Sequence, residues 1–192
     1  MLSSHRESAS NAPPPRASLG PALDAGALAR GLAVLRIFVG VIAFTNGLAK
    51  LLSFREIEIG PYFGTLVNRP EARQILDFEV NERGGGTDLP LLPTLVNDVI
   101  LPNYGVFEWL LTATELATGA LLIIGLLSRG AALIIFSQHF FLQLVYFSSG
   151  RFAFEQPHEW LPPLILALVA SGMIWGLDGR LARNHDGARW PS

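Results

Sequence analysis

The chain has 192 residues, of which 50% are hydrophobic and 16% charged, with a mean hydropathy of +0.38 and a formal net charge of −2. No basic stripe is present to neutralise phosphates, so nucleic-acid binding is excluded as a class. The absence of cysteine means that this chain carries no thiol–disulfide chemistry, no Cys-ligated iron–sulfur cluster and no disulfide.

Residues 1–27 hold Ser3, Ser4, Ser8, Ser10 and the run Pro13, Pro14, Pro15. They are predicted to form an N-terminal tail with too little apolar area to order. Four apolar stretches follow, at about 28–52, 106–127, 131–147 and 161–177, each comparable in length with the ~30 Å hydrocarbon core of a bilayer. A soluble globule of this size has too little polar sequence to coat all four. The expectation is an all-α, polytopic membrane protein: a bundle of four transmembrane helices over 28–181, with a C-terminal tail at 182–192. The first stretch is too long, and begins too late, to be a cleaved signal peptide.

Lys and Arg collect on cytoplasmic loops. Arg6, Arg16 and Arg30 precede the first stretch, Arg129 lies between the second and third, and Arg180, Arg183 and Arg189 follow the fourth. Both termini are therefore expected on the cytoplasmic side. The opposite side receives 53–104, where Glu56, Glu58, Glu71, Asp77, Glu79, Glu82, Asp88 and Asp98 outnumber Arg55, Arg69, Arg73 and Arg83. Tyr104, Trp109, Tyr146, Phe152, Phe154 and Trp160 fall near that outer boundary and Trp175 near the inner one, as an aromatic belt requires. Within the outer segment a short helix is predicted at 71–80 after Pro70, broken by the glycines at 84–86. Residues 89–101 are too short to cross and should lie along the outer interface.

Ionisable groups inside spans are costly and mark sites of function. Counted at 1.5 Å per residue, Lys50 lies ~30 Å above Arg30, and Glu108 reaches the same outer boundary, where the two are expected to pair. Glu115 and His139 fall ~18 Å and ~15 Å from the cytoplasmic edge, in one layer with Gln138, Gln143 and Asn46. Arg36 is predicted either to extend into that cluster or to snorkel towards lipid phosphates. The cluster reads equally as a ligand or proton site and as interhelical hydrogen bonding. A haem between spans would want two histidines at one depth, whereas His139 is mid-membrane, His158 lies at the edge, and His5 and His185 lie outside the spans. Glu155, His158 and Glu159 lack a metal-ligand spacing, so no metal is expected. Small residues that let spans approach are Gly40, Ala43 and Gly47 on the first, Ala113 and Ala117 on the second, and Ala167 and Ser171 on the fourth. Pro162 and Pro163 mark the entry of the fourth helix. With no internal repeat and no discontinuous span in view, a transporter ranks last.

Three stretches resemble the DoxX family. They are Leu35-Arg36-Ile37-Phe38-Val39-Gly40 running on to Asn46-Gly47-Leu48-Ala49-Lys50-Leu51, then Glu115-Leu116-Ala117-Thr118-Gly119 with Gly125-Leu126-Leu127-Ser128-Arg129-Gly130-Ala131-Ala132, and finally Gly176-Leu177-Asp178. Ser128 stands where the family usually has Thr, and 53–104 is longer than the usual loop, closer to the DoxD-like branch. The resemblance implies a four-helix protein of a bacterial or archaeal plasma membrane, an accessory of a redox system with a link to quinone. It singles out Arg36, Lys50, Glu115, Arg129 and Asp178 as family-like polar positions. The leading expectation is thus an accessory subunit of a quinone-linked redox complex, without a covalently bound cofactor, in which Glu115 and His139 exchange protons with quinone and other membrane or redox subunits are its partners. A purely structural subunit is the alternative.

Overall fold

The computed structural model describes residues 24–150 and 155–184. Most of the expected tails, with Arg6, Arg16, Arg189, His5 and His185, and the ring positions Phe152 and Phe154 lie outside the described residues. Helix α1, Ala25–Leu52, starts where the Asp24 carboxylate accepts from the Gly26 N–H at 2.9 Å and stops at Ser53 in a left-handed conformation. Its 28 residues rise about 42 Å. A two-stranded hairpin follows, β1 Glu56–Ile59 and β2 Tyr62–Thr65.

Helix α2, Arg69–Asp77, is opened by the Asn68 side chain, which accepts from the Glu71 N–H, and by Pro70 in its first turn. It continues through a π-helical turn, Phe78–Glu82, and breaks at the positive-φ glycines Gly84, Gly85 and Gly86. The short helix α3, Leu92–Thr94, runs into a second π-helical turn, Leu95–Ile100. Helices α4, Tyr104–Ile124, and α5, Ser128–Val145, are joined through Gly125, whose φ of 68° suits a residue without Cβ. Helix α6, Pro157–Leu168, and the two-turn helix α7, Leu177–Asn184, complete the chain.

Helices α1 and α4 are long and apolar enough to cross a membrane, with mean hydropathies of 2.0 and 1.4 over their most apolar windows. Only 28% and 22% of those windows are buried, whereas a helix at the centre of a soluble core would be largely covered. Val34, Phe38, Val106 and Leu110 point outward.

The expected fourth span at 161–177 is not one helix. Its α-helix begins at Pro157 and ends at Leu168, about 18 Å long, and the backbone then runs through an extended Val169, a 3₁₀ turn at Ser171–Met173 and a left-handed Trp175 before α7. The segment is therefore discontinuous, contrary to the sequence expectation. Pro162 and Pro163 lie inside α6 rather than at its entry. The outer segment also departs from the all-α expectation through its hairpin. It packs on the helices: Leu76, Val80, Leu92 and Val96 form a small core with Val145 at the end of α5.

The main core joins Val39 and Ala43 of α1, Leu122 of α4, Ala131, Ala132 and Ile135 of α5, and Leu166 of α6. Between α1 and α4 the backbones touch. A Cβ on Gly119 would sit 2.5 Å from the Phe44 nitrogen, one on Gly40 2.9 Å from the Ile123 nitrogen, and one on Gly47 2.8 Å from the Leu116 nitrogen. Gly40, Ala43 and Gly47 are thus the contact face predicted on the first helix. On α4 the contact is made by Gly119, while Ala113 and Ala117 are exposed. Their spacing fitted a small-residue stripe, but Gly119 alone removes enough bulk for backbone contact. Gly119→Ala should destabilise the protein by about 1–3 kcal/mol through overpacking. Gly31→Ala, with nothing within 4 Å of its added methyl, should be neutral or slightly stabilising. Unfolding of the two variants in detergent checks the contrast.

Candidate functional site

Two polar centres form at different levels of the helices. The first surrounds the break between α6 and α7. A broken helix frees carbonyls that must find donors when buried. Arg36, fully buried on α1, supplies them: Nη1 donates to the carbonyls of Ser171 at 2.7 Å and Ile174 at 3.1 Å, and Nη2 to that of Trp175 at 3.2 Å. Beside it Asp178, also fully buried, accepts from the Leu127 N–H at 2.8 Å, the Ser128 N–H at 3.1 Å and the Ser128 hydroxyl at 2.9 Å, and so caps the start of α5. The Ser128 hydroxyl in turn accepts from the Gly172 N–H at 3.1 Å, and the Asp178 N–H donates to the Gly125 carbonyl at 2.9 Å. Gly125 and Gly176 are tightly confined here, since a Cβ on either would come within 2.9 Å of Arg36 Nη1. Arg129 donates from Nε to the Ala167 carbonyl at 3.1 Å, on the last turn of α6.

Arg36 therefore joins neither the mid-membrane cluster nor the lipid phosphates. Its partners are the freed carbonyls of the broken segment, about 21 Å along α1 from Lys50. Because those oxygens are already engaged, the break is a structural joint held by a guanidinium. Ser128 belongs to this centre and was not singled out for its own chemistry. Its position one residue after the α4–α5 turn, where an N-cap acceptor is needed, was the available signal.

The second centre lies between α1 and α4. Lys50 Nζ sits 3.0 Å from Glu115 Oε1 and 2.9 Å from Oε2, with the side chains only 6% and 15% exposed. The sequence expectation of a Lys50–Glu108 pair is thus overturned. The glycine contacts set Gly47 against Leu116 and Glu115, which brings the Lys50 ammonium to Glu115, and Glu108 falls beyond it towards the outer segment. There Glu108 pairs with Arg69 at 3.7 Å. Arg69 also stacks over Trp109, 4.2 Å from the ring centroid, and its carbonyl accepts from the Tyr104 hydroxyl at 3.3 Å. Arg69 was not among the sequence-derived site residues. The Arg-Pro pair at a helix start was visible, its reach across to α4 was not.

Helix α5 carries most of the other residues expected near Glu115. His139 is within electrostatic reach of the Glu115 carboxylate. Its Nδ1 lies 2.9 Å from the Glu159 carbonyl, which only accepts, so Nδ1 donates and Nε2 is the ring nitrogen left for other contacts. Gln138 donates to Thr114 Oγ1 at 2.6 Å, and Gln143 accepts from the Trp160 indole at 3.2 Å. Asn46 is half-buried on α1 and shows no side-chain hydrogen bond to this group among the described residues. Phe136, Phe140 and Trp160 form an aromatic cluster on the same α5–α6 face, with ring centroids 5.5–6.2 Å apart.

Towards the outer segment a cleft of about 570 Å³ opens between α2 and the start of α4, lined by Arg73, Gln74, Asp77, Tyr104 and Glu108. Among the described residues no group of three or more His, Asp or Glu gathers as a metal site would, and Glu155, His158 and Glu159 form none. Comparison with protein-family models, with curated proteins and with solved structures finds no match to this chain.

The two centres generate separate outcomes. Removing one member of a buried ion pair leaves an uncompensated charge, so Glu115→Gln and Lys50→Met should each cost about 3–5 kcal/mol, whereas the double replacement Lys50→Met with Glu115→Leu should recover most of that loss. A double-mutant cycle on unfolding in detergent measures it. Asp178→Ala, which orphans the N–H groups of Leu127 and Ser128, should cost about 2–4 kcal/mol, and Asp178→Asn less because one acceptor oxygen remains. Thermal midpoints of the two variants give the ranking.

Proposed function

We propose that the protein is a four-span integral membrane protein of a bacterial or archaeal plasma membrane, with both termini cytoplasmic, and that it is an accessory subunit of a quinone-linked redox complex. Apolar surface supports the membrane reading. Besides α1 and α4, helix α5 exposes Leu133, Ile134 and Phe140, and α6 exposes Leu161, Ile165 and Leu168. Such a surface is soluble only in hydrocarbon or against partner subunits. The DoxX-like stretches support the same reading. Of their polar positions, Arg36, Ser128 and Asp178 act in the joint between α6 and α7 and Arg129 bonds the last turn of α6, which leaves Lys50 and Glu115 for chemistry.

The observation that carries the functional reading is the buried Lys50–Glu115 pair with His139 within electrostatic reach of its carboxylate. A charge pair at membrane depth is retained at a cost, and such pairs mark pathways for ligands or protons. A quinone headgroup has two carbonyls that take hydrogen bonds and protons, and its bound form would supply two-electron, two-proton chemistry. Lys50 is suited to donate to one carbonyl, His139 Nε2 to accept from a quinol hydroxyl, and Phe136, Phe140 and Trp160 to offer ring surface. This chain contributes binding and proton handling, and with no cysteine to carry an iron–sulfur cluster it would receive its electrons from a partner subunit. A structural role is favoured by a separate observation. Gln138–Thr114, His139–Glu159 and Gln143–Trp160 each tie neighbouring helices together.

The double replacement Lys50→Met with Glu115→Leu, which recovers stability, and His139→Ala distinguish the two. In the complex purified from native membranes, the quinone reading expects assembly to persist while quinone-dependent activity falls, and affinity for a short-chain quinone to weaken about tenfold, about 1.4 kcal/mol. Full activity and unchanged affinity in an assembled complex would remove quinone contact and leave the structural role.

A further inference from the structure

The hairpin β1–β2 ends in five uncharged residues, Ile59-Gly60-Pro61-Tyr62-Phe63, and its large side chains are among the most exposed apolar groups described: Ile59 at 69%, Tyr62 at 64% and Phe63 at 56%. A short, open hairpin with an apolar tip in water would be an aggregation hazard, and edge strands normally carry charge where they are bare. Here the charge is confined to one face. Alternation along β1 puts Ile57 and Ile59 on one side and Glu56 and Glu58 on the other; the pairing of Ile59 with Tyr62 places the tyrosine ring on the apolar side, while Phe63, opposite Glu58, lies on the acidic side at the tip.

The hairpin also begins only three residues after α1, whose last residues Leu51 and Leu52 are themselves 41% and 63% exposed. Its root is fixed: the Leu66 N–H donates to the Arg55 carbonyl at 2.6 Å, and the Arg55 guanidinium bonds Glu71 on α2 at 2.9 Å. The exposed apolar end of α1 is thus followed, three residues on, by a tethered hairpin with one apolar face and its carboxylates on the other.

We propose that this hairpin is an interfacial anchor, whose tip enters the headgroup and upper acyl region of the outer leaflet beside α1 while Glu56 and Glu58 remain in water. The occupant of the apolar face is lipid. The inference rests on the membrane reading above and adds to it a contact outside the spans. Because the acidic face points away from the bilayer, the contact is apolar and zwitterionic lipid suffices for it.

The lack of cysteine allows single-site labelling of the full chain. Nitroxides at Ile59→Cys, Tyr62→Cys, Glu58→Cys and, on the outward face of α1, Val34→Cys are read in phosphatidylcholine nanodiscs by collision with oxygen, which concentrates in hydrocarbon, and with a water-soluble nickel chelate. All four are surface positions, so folding is not at stake. The proposal expects an oxygen-to-nickel accessibility ratio at Ile59 and Tyr62 several-fold above that at Glu58 and approaching that at Val34. Ratios at Ile59 and Tyr62 equal to that at Glu58, with Val34 still in lipid, would overturn the anchor and spare the membrane reading. Shielding of Ile59 and Tyr62 from both reagents would overturn it in favour of a protein contact, including a second copy of this chain. A water-accessible Val34 would overturn both.

Discussion

The backbone contact between α1 and α4 decides the geometry of this protein. Three glycines, Gly40, Gly47 and Gly119, bring the two helices so close that a single methyl on any of them meets main-chain atoms within 3 Å. Contacts that close fix the register of the pair, because a shift along the axis would press side chains where only glycine fits. Register in turn places the Lys50 ammonium on Glu115 and sends Glu108 to Arg69. Two charges that would be costly to bury alone are joined in one ion pair.

A second constraint follows from the interruption after Leu168. Of the five polar positions singled out in the sequence, Arg36, Arg129 and Asp178 gather around this one joint. Arg36 supplies hydrogens to the carbonyls that the break frees, Asp178 supplies oxygens to the amides that the start of α5 frees, and Ser128 and Gly172 close the circuit. Each group solves a problem created by another: the broken helix needs donors, the new helix needs acceptors, and the donor and acceptor lie within electrostatic reach of one another. Arg36 and Ser171 are 135 positions apart, so the joint ties the first helix to the last and closes the bundle.

The four apolar runs, the helix after Pro70, the glycine stop at 84–86 and the small-residue face of α1 were all legible in the sequence, because each depends on residues close together along the chain. What escaped depends on register or on distant partners. Depth counted from the ends of spans put Lys50 level with Glu108, and nothing in composition reveals the slide that brings it to Glu115. Gly119 was read within a Glu-x-x-x-Gly pattern, yet its role as the contact point needed the opposing helix. The break at Val169–Trp175 had signals in Ser171, Gly172 and Gly176, but the hydrophobic run through them read as continuous. The hairpin had its own signal in the alternating Glu56-Ile57-Glu58-Ile59 before Gly60-Pro61, overlooked inside an acidic loop. Counting depth put Glu115, His139, Gln138 and Gln143 in one layer, but it could not show the partners Thr114, which bonds Gln138, and Arg69, which pairs with Glu108.

An apolar exterior, a glycine seam and one buried ion pair therefore form a single arrangement, and the ion pair is where it is most exposed to test. Solid-state NMR of the protein in lipid bilayers, labelled with ¹⁵N at lysine side chains and ¹³C at glutamate carboxyls, measures it directly. Lys50 is the one lysine in the chain, which makes the nitrogen signal unambiguous. The account predicts a strong through-space transfer from Lys50 Nζ to the carboxyl carbon of Glu115. Transfer to Glu108 instead, or to no carboxyl at all, would contradict the register on which the rest is built.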